Sequence, residues 1–136
     1  MKPNLYMNIA KAVAELSKDT TKIGAVAIDF KNRIIGCGVN GYPSGYDDKD
    51  FSNKYSKVIH AEMNCIINST ATRGGVKAIF IYGLPPCCNC LKYLAAYEVE
   101  TIFYKVNRDI ASVNSWVADY HENRQFHPTL FVKEIE

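Results

Sequence analysis

Apolar side chains return at helical spacing through the first part of the chain, at Leu5, Ile9, Ala12, Val13 and Leu16. That period predicts an amphipathic helix over residues 4–17, with Pro3 and Asn4 suiting its start. The pattern then changes. Residues 24–30 (GAVAIDF) and 33–40 (RIIGCGVN) are β-rich runs, and Lys31-Asn32 between them reads as a hairpin turn. Residues 41–57 lose the pattern and fill with Gly, Pro, Ser, Tyr and Asp, as a long loop does. A second helix is predicted over 61–68, with Met63, Ile66 and Ile67 facing inward, ended by Gly74-Gly75. Residues 76–82 (VKAIFIY) are a continuous apolar strand, buried on both faces. Gly83 to Pro86 break it, a helix follows over 87–97, and residues 99–104 (VETIFY) form another strand. Ile110, Val113, Val117 and Tyr120 mark one more helix, and residues 129–132 a last strand. The order α-β-β-α-β-α-β-α-β predicts a three-layer α/β/α domain over 1–136, around a five-stranded mixed sheet whose final strands run parallel.

Composition narrows the class. The chain has 136 residues, 48% of them hydrophobic and 22% charged, enough for one soluble domain with a real core. The formal net charge is +2, and Lys18, Lys22, Lys31 and Arg33 alternate with Asp19 and Asp29. No basic stripe points to a polynucleotide. Asp47, Asp48 and Asp50 in the long loop read as a solvated acidic turn. There is no signal-peptide core and no apolar run long enough to span a bilayer. Five cysteines, three of them within 87–90, argue against a disulfide framework and for a reducing compartment with a metal. A cytoplasmic protein is the expectation.

The candidate chemistry lies in two short stretches, His60-Ala61-Glu62 and Pro86-Cys87-Cys88-Asn89-Cys90. Together they spell H-x-E and P-C-x-x-C. Cysteines three apart at a helix start share one face, where the helix terminus favours thiolate over thiol. His60 also opens a predicted helix, so the two first turns can meet at one point. One histidine and two cysteines supply three ligands to Zn²⁺ and leave the fourth tetrahedral position to water, as catalytic zinc requires. A structural zinc needs a fourth protein ligand, for which Cys88 is the nearby candidate. Glu62 would stand beside the open position as a proton carrier. Cys37 and Cys65 read as small core residues, and His121 and His127 as surface.

The paired motif is that of zinc-dependent nucleobase deaminases, and the resemblance extends beyond it. The runs SKDTTKIGAVAID (17–29), RIIGCGVNGYPSG (33–45) and HAEMNCI (60–66) resemble, in the same order, those of deoxycytidylate (dCMP) deaminases. The likeness covers most of residues 5–105. It implies the cytidine-deaminase-like fold and hydrolysis of dCMP to dUMP and ammonia. It also implies zinc on His60, Cys87 and Cys90, with Glu62 as general acid and base. Asn40 would contact the sugar hydroxyl, the Ala61 N–H the pyrimidine carbonyl, and Lys22 the 5′-phosphate. Regulated members are homohexamers activated by dCTP with Mg²⁺ and inhibited by dTTP, through the loop that here holds Asn40 and Gly41. Three departures stand out. No Cys or His lies between Asn40 and His60, where many members bind a second, structural zinc, so one zinc per subunit is expected. Ser44 and Gly83 occupy positions where arginine and threonine are common. Two other readings stay open: a deaminase of tRNA or another polynucleotide, and a non-catalytic, zinc-stabilised binding module.

Overall fold

The computed structural model describes residues 1–47, 49, 50, 52, 57–107, 109 and 130–136. The helix expected around Ile110 to Tyr120, together with His121, His127 and Asp48, lies outside the described residues. The elements run α1 (Pro3–Ala14), β1 (Gly24–Ile28), β2 (Ile34–Val39), α2 (Ala61–Asn68), β3 (Ala78–Gly83), α3 (Cys88–Ala96), β4 (Thr101–Val106) and β5 (Phe131–Glu134). They form one five-stranded sheet in the order β2-β1-β3-β4-β5. Strand β1 is antiparallel to both neighbours, whereas β3, β4 and β5 run parallel. The predicted mixed sheet with parallel final strands is therefore present.

The hairpin forms where Lys31-Asn32 predict it. Asn32 takes the left-handed backbone (φ 61°), and Asp29 Oδ1 accepts the N–H groups of Lys31 and Arg33. An aspartate that bonds the backbone two residues on is a common turn device.

Two cores sandwich the sheet. On one face Met7 and Ala10 of α1 cover Val26, Ile28, Phe80 and Phe103, with Phe80 and Phe103 stacked at 5.0 Å. On the other, Ala61 and Cys65 of α2 and Leu91 and Leu94 of α3 cover Ala25, Ala27, Ile79, Ile81 and Ile102. Five of the six β3 residues are buried, as a strand covered by helices on both sides must be.

Three sequence expectations fail, all through close backbone approach. Helix α1 turns Met7, Ala10 and Ala14 inward, leaving Leu5, Ala12 and Leu16 exposed. A Cβ on Gly24 would sit 2.3 Å from the Ala10 carbonyl oxygen, so the helix touches β1 through alanines and has no room there for leucines. Helix α2 likewise rides on Gly36 and Gly38, whose Cβ atoms would meet its backbone at 2.8 and 2.4 Å. Its fully buried residues are Ala61, Glu62 and Cys65; Met63 and Ile66 are partly buried against the same core, as expected, whereas Ile67, on the far side, is 65% exposed. Cys37 stands between two strand positions that face α2, so it must point the other way, and it is exposed. Cys65 is buried as expected.

Candidate active site

Sheet register brings the chemistry to one end of the molecule. Gly24 pairs with Val39 on one side and with Tyr82 on the other, so Ile23, Asn40 and Gly83 follow in the next row. Beyond Gly83 the chain turns through Pro85 and Pro86 to Cys87, the N-cap of α3. Beyond Asn40, Gly41 and Ile59 exchange both backbone hydrogen bonds, at 3.1 and 2.8 Å. That bridge leaves Asn40 and His60 one residue on along two facing segments, and His60 is the N-cap of α2.

The two caps meet. His60 Nδ1 lies 3.3 Å from Cys87 Sγ and 3.3 Å from Cys90 Sγ. The three ligand atoms all fall within 4.8 Å of one another, the sole such group of three among the described residues. Zinc with arms of about 2.0–2.3 Å has tetrahedral edges of roughly 3.5 Å, so the spacing fits that ion. Cys88 is not part of the group, so the described residues offer three ligands and no fourth.

Electrostatics agree with the donor chemistry. The Cys87 thiol is lowered to about 4, first by the hydrogen bond from Cys90 and then by that from His60, and the Cys90 backbone N–H adds a contact at 3.4 Å. Cys90 is pushed up, because it holds the proton that it shares with Cys87 and because it is buried. The His60 pKa is raised chiefly by its hydrogen bond to Cys87, against burial. A divalent cation would take the place of those protons, and two thiolates would balance its charge.

Glu62 is 3% exposed, and Oε1 lies 3.8 Å from His60 Nδ1. Burial raises its pKa, partly offset by His60, so this carboxyl holds a proton more readily than a solvated one. Ala61 occupies the first position of α2, where a backbone N–H cannot be used within the helix.

Asn40 is buried and fully engaged on its oxygen. Oδ1 accepts from Ser17 Oγ (2.8 Å) and from the Ile23 N–H (3.0 Å), while Nδ2 donates to the Thr21 carbonyl (2.6 Å). Lys22 directs its ammonium at the Ser17 carbonyl. A cavity of 370 Å³ opens alongside, lined by Asn40, Gly41, Lys18, Asp19, Tyr42 and Tyr46 among others. Neither Lys22 nor any member of the His/Cys/Glu cluster lines it. The structure thus gathers His60, Glu62, Cys87 and Cys90 into one centre and puts Asn40 and Gly41 in the wall of a neighbouring hollow.

Sequence reasoning passed over Ser17, Asp19 and Asn64. Ser17 and Asp19 are 3% and 8% exposed despite their polarity, and Asn64 Nδ2 holds the Val39 carbonyl at 2.8 Å. The only trace in sequence is the local pattern S-x-D-x-T, in which Asp19 Oδ1 accepts the Thr21 N–H.

Residues 1–106 match the family model described as the cytidine and deoxycytidylate deaminase zinc-binding region. The chain belongs to the cytidine and deoxycytidylate deaminase family. A probable deoxycytidylate deaminase of Caenorhabditis elegans is 36% identical over 113 residues, covering 76% of this chain and 57% of the relative. The deoxycytidylate deaminase of Homo sapiens is 32% identical over 114 residues, covering 75% and 63%. The chain thus spans about three fifths of the length of these curated family members. The dCMP deaminase of cyanophage S-TIM5 shares the fold, with a TM-score of 0.75 at 24% identity over 99% of this chain and 100% of that one. A tRNA:A34 deaminase resembles it less, at a TM-score of 0.58 and 17% identity over 97% and 98%. The predicted cytidine-deaminase-like fold is therefore correct.

Proposed function

We propose that this family member is a zinc-dependent dCMP deaminase, hydrolysing dCMP to dUMP and ammonia on the route to thymidylate precursors. The observation that carries the reading is a buried carboxyl, Glu62, beside a cluster of one histidine and two cysteines to which no other described residue adds a fourth ligand. The identity to proteins named deoxycytidylate deaminases supports the choice of substrate. So does a second structure of the cyanophage enzyme, of the same fold, described in complex with dCMP and dUMP.

His60, Cys87 and Cys90 would hold one zinc per subunit. When bound, the ion acts as a Lewis acid that makes water a competent nucleophile near neutral pH. Glu62 carries the protons. Its carboxylate takes one proton from the attacking water and delivers it to N3 of the cytosine ring as the water oxygen bonds to C4. It then takes the remaining proton of that oxygen and passes it to the amino group, which leaves as ammonia as the C4–N bond breaks and the C4 carbonyl forms. One group serves both steps because its raised pKa lets it alternate between base and acid. The Ala61 N–H holds the pyrimidine carbonyl, Asn40 meets the sugar hydroxyl, and Lys22 is the candidate for the 5′-phosphate.

Regulation belongs to the same reading. Activation by dCTP with Mg²⁺ and inhibition by dTTP would act through the segment that holds Asn40 and Gly41. A cytoplasmic homohexamer completes the proposal, and five free cysteines suit a reducing compartment.

The test is direct. Zinc-loaded protein is incubated with dCMP, CMP, dCTP, deoxycytidine and tRNA, with and without dCTP plus Mg²⁺, and ammonia is measured. Turnover of dCMP above the others is expected. Turnover of tRNA without dCMP would overturn the substrate, and no turnover of any compound by the fully metallated protein would favour a binding module.

A further inference from the structure

Asn40 is held in an unusual degree of detail for a residue expected to touch a ligand. Two backbone groups fix which end of its amide is which. The Ile23 N–H can only donate, so the atom it meets at 3.0 Å is the oxygen, and the Thr21 carbonyl can only accept, so the atom it meets at 2.6 Å is the nitrogen. The second lone pair of Oδ1 is filled by Ser17 Oγ at 2.8 Å. The same hydroxyl lies 2.9 Å from the main-chain carbonyl of Asn40 and accepts the Asp19 N–H at 3.2 Å. The amide therefore has no acceptor left to offer. It keeps one N–H, and Asn40 forms part of the wall of the adjoining hollow.

We propose that Ser17 is a positioning residue that seals the Asn40 oxygen, so that Asn40 meets the nucleotide sugar as an N–H donor only. This rests on the reading of Asn40 given above and deepens it. Ser17 suits the task because it is 3% exposed and its single hydroxyl proton has Oδ1, at 2.8 Å, as the nearer of its two Asn40 acceptors. Its own carbonyl also takes the Lys22 ammonium, which closes the loop before β1 on itself, while the bond to Asn40 ties that loop to the end of β2. Removing the hydroxyl would reopen a lone pair on Oδ1 and free the amide to shift, weakening a contact made by substrate and transition state alike. Such a loss raises KM and leaves kcat nearly unchanged.

Zinc-loaded wild type, Ser17→Ala and Ser17→Thr are compared by calorimetry with dUMP and with its 3′-deoxy analogue, and by steady-state kinetics with dCMP. Wild type should prefer dUMP by about fivefold, the size of one hydrogen bond. Ser17→Ala should bring that ratio close to one and raise KM severalfold with kcat within about twofold, and Ser17→Thr should restore both. A hydroxyl with a merely structural role would lower the active fraction and leave the ratio intact, which overturns the proposal. A wild type with no preference for the 3′-hydroxyl overturns the Asn40 contact and this inference with it. If the zinc-loaded protein does not turn over dCMP, the substrate reading fails separately. The Ser17 lock is then read from hydrogen exchange of the Asn40 side-chain amide by NMR. Slow exchange in wild type that quickens in Ser17→Ala supports it, and equal rates overturn it.

Discussion

At the scale of single residues, Glu62 and its neighbours define sharply different behaviours under substitution. Glu62→Gln keeps the shape of the side chain but cannot shuttle a proton. It should lower kcat by about 10²–10⁴ with zinc content unchanged, as checked by ammonia release and metal analysis on the same sample. A variant with substantial turnover would remove Glu62 from its role. The ligands themselves predict how metal uptake varies with pH. Cys90 keeps its proton well above the usual thiol range, so binding zinc releases that proton throughout the working range. Cys87, already a thiolate above about 4, releases none. His60, whose pKa is raised, adds a second released proton only on the acid side of that pKa. The zinc association constant should therefore rise about tenfold per pH unit in mildly alkaline buffer and more steeply in acid. Competition with a chromophoric chelator across the range measures this slope, and a flat profile would contradict the shared-proton arrangement.

At the scale of elements, helix α2 carries two members of the centre, and its seat is made by what β2 lacks. Gly38→Ala would drive a Cβ into the backbone of α2, at 2.4 Å from the Cys65 nitrogen and 2.9 Å from the Ala61 oxygen. Overpacking of this kind costs about 1–3 kcal/mol, and here the strain moves His60 and Glu62 away from the cysteines. Gly41→Ala, with nothing within 4 Å of its Cβ, is the matched control. Denaturant unfolding with zinc analysis should show Gly38→Ala less stable and metal-poor and Gly41→Ala close to wild type. The same glycines explain what was readable beforehand. Period and turn chemistry announced the helices, the hairpin and the buried β3 because those depend on neighbours in sequence. Ile9, Val13, Met63 and Ile66 pack as their period predicts, whereas Leu5, Ala12 and Ile67 turn outward. They do so because the contacts through Gly24, Gly36 and Gly38 that set the helix faces come from outside the helices themselves. Spacing alone brought out His60, Glu62, Cys87 and Cys90, since a metal site imposes strict local motifs. Ser17 and Asn64 escaped because a buried hydroxyl or amide that holds another residue in place leaves no periodic mark.

At the scale of the whole molecule, the two helix starts lie 27 residues apart in sequence, at His60 and Cys87, and the metal would clip them together across the sheet edge. Both flanking cores are built mainly from residues outside the metal cluster, among them Val26, Ile79, Phe80 and Ile102, all fully buried. Folding therefore does not wait for zinc, in contrast to small zinc domains that are unfolded without it. Yet a ligand that binds only the folded state still adds stability. Free zinc at about 100 times its dissociation constant should contribute about 2.7 kcal/mol. Calorimetry should show one cooperative transition for the chelator-treated protein and a higher melting temperature once zinc is restored. Cys87→Ala should melt close to the chelated wild type and gain little from added zinc. If chelation abolished the transition altogether, the ion would be a structural necessity and the two cores would not suffice. If Cys87→Ala gained as much from zinc as wild type, the ion would be held elsewhere.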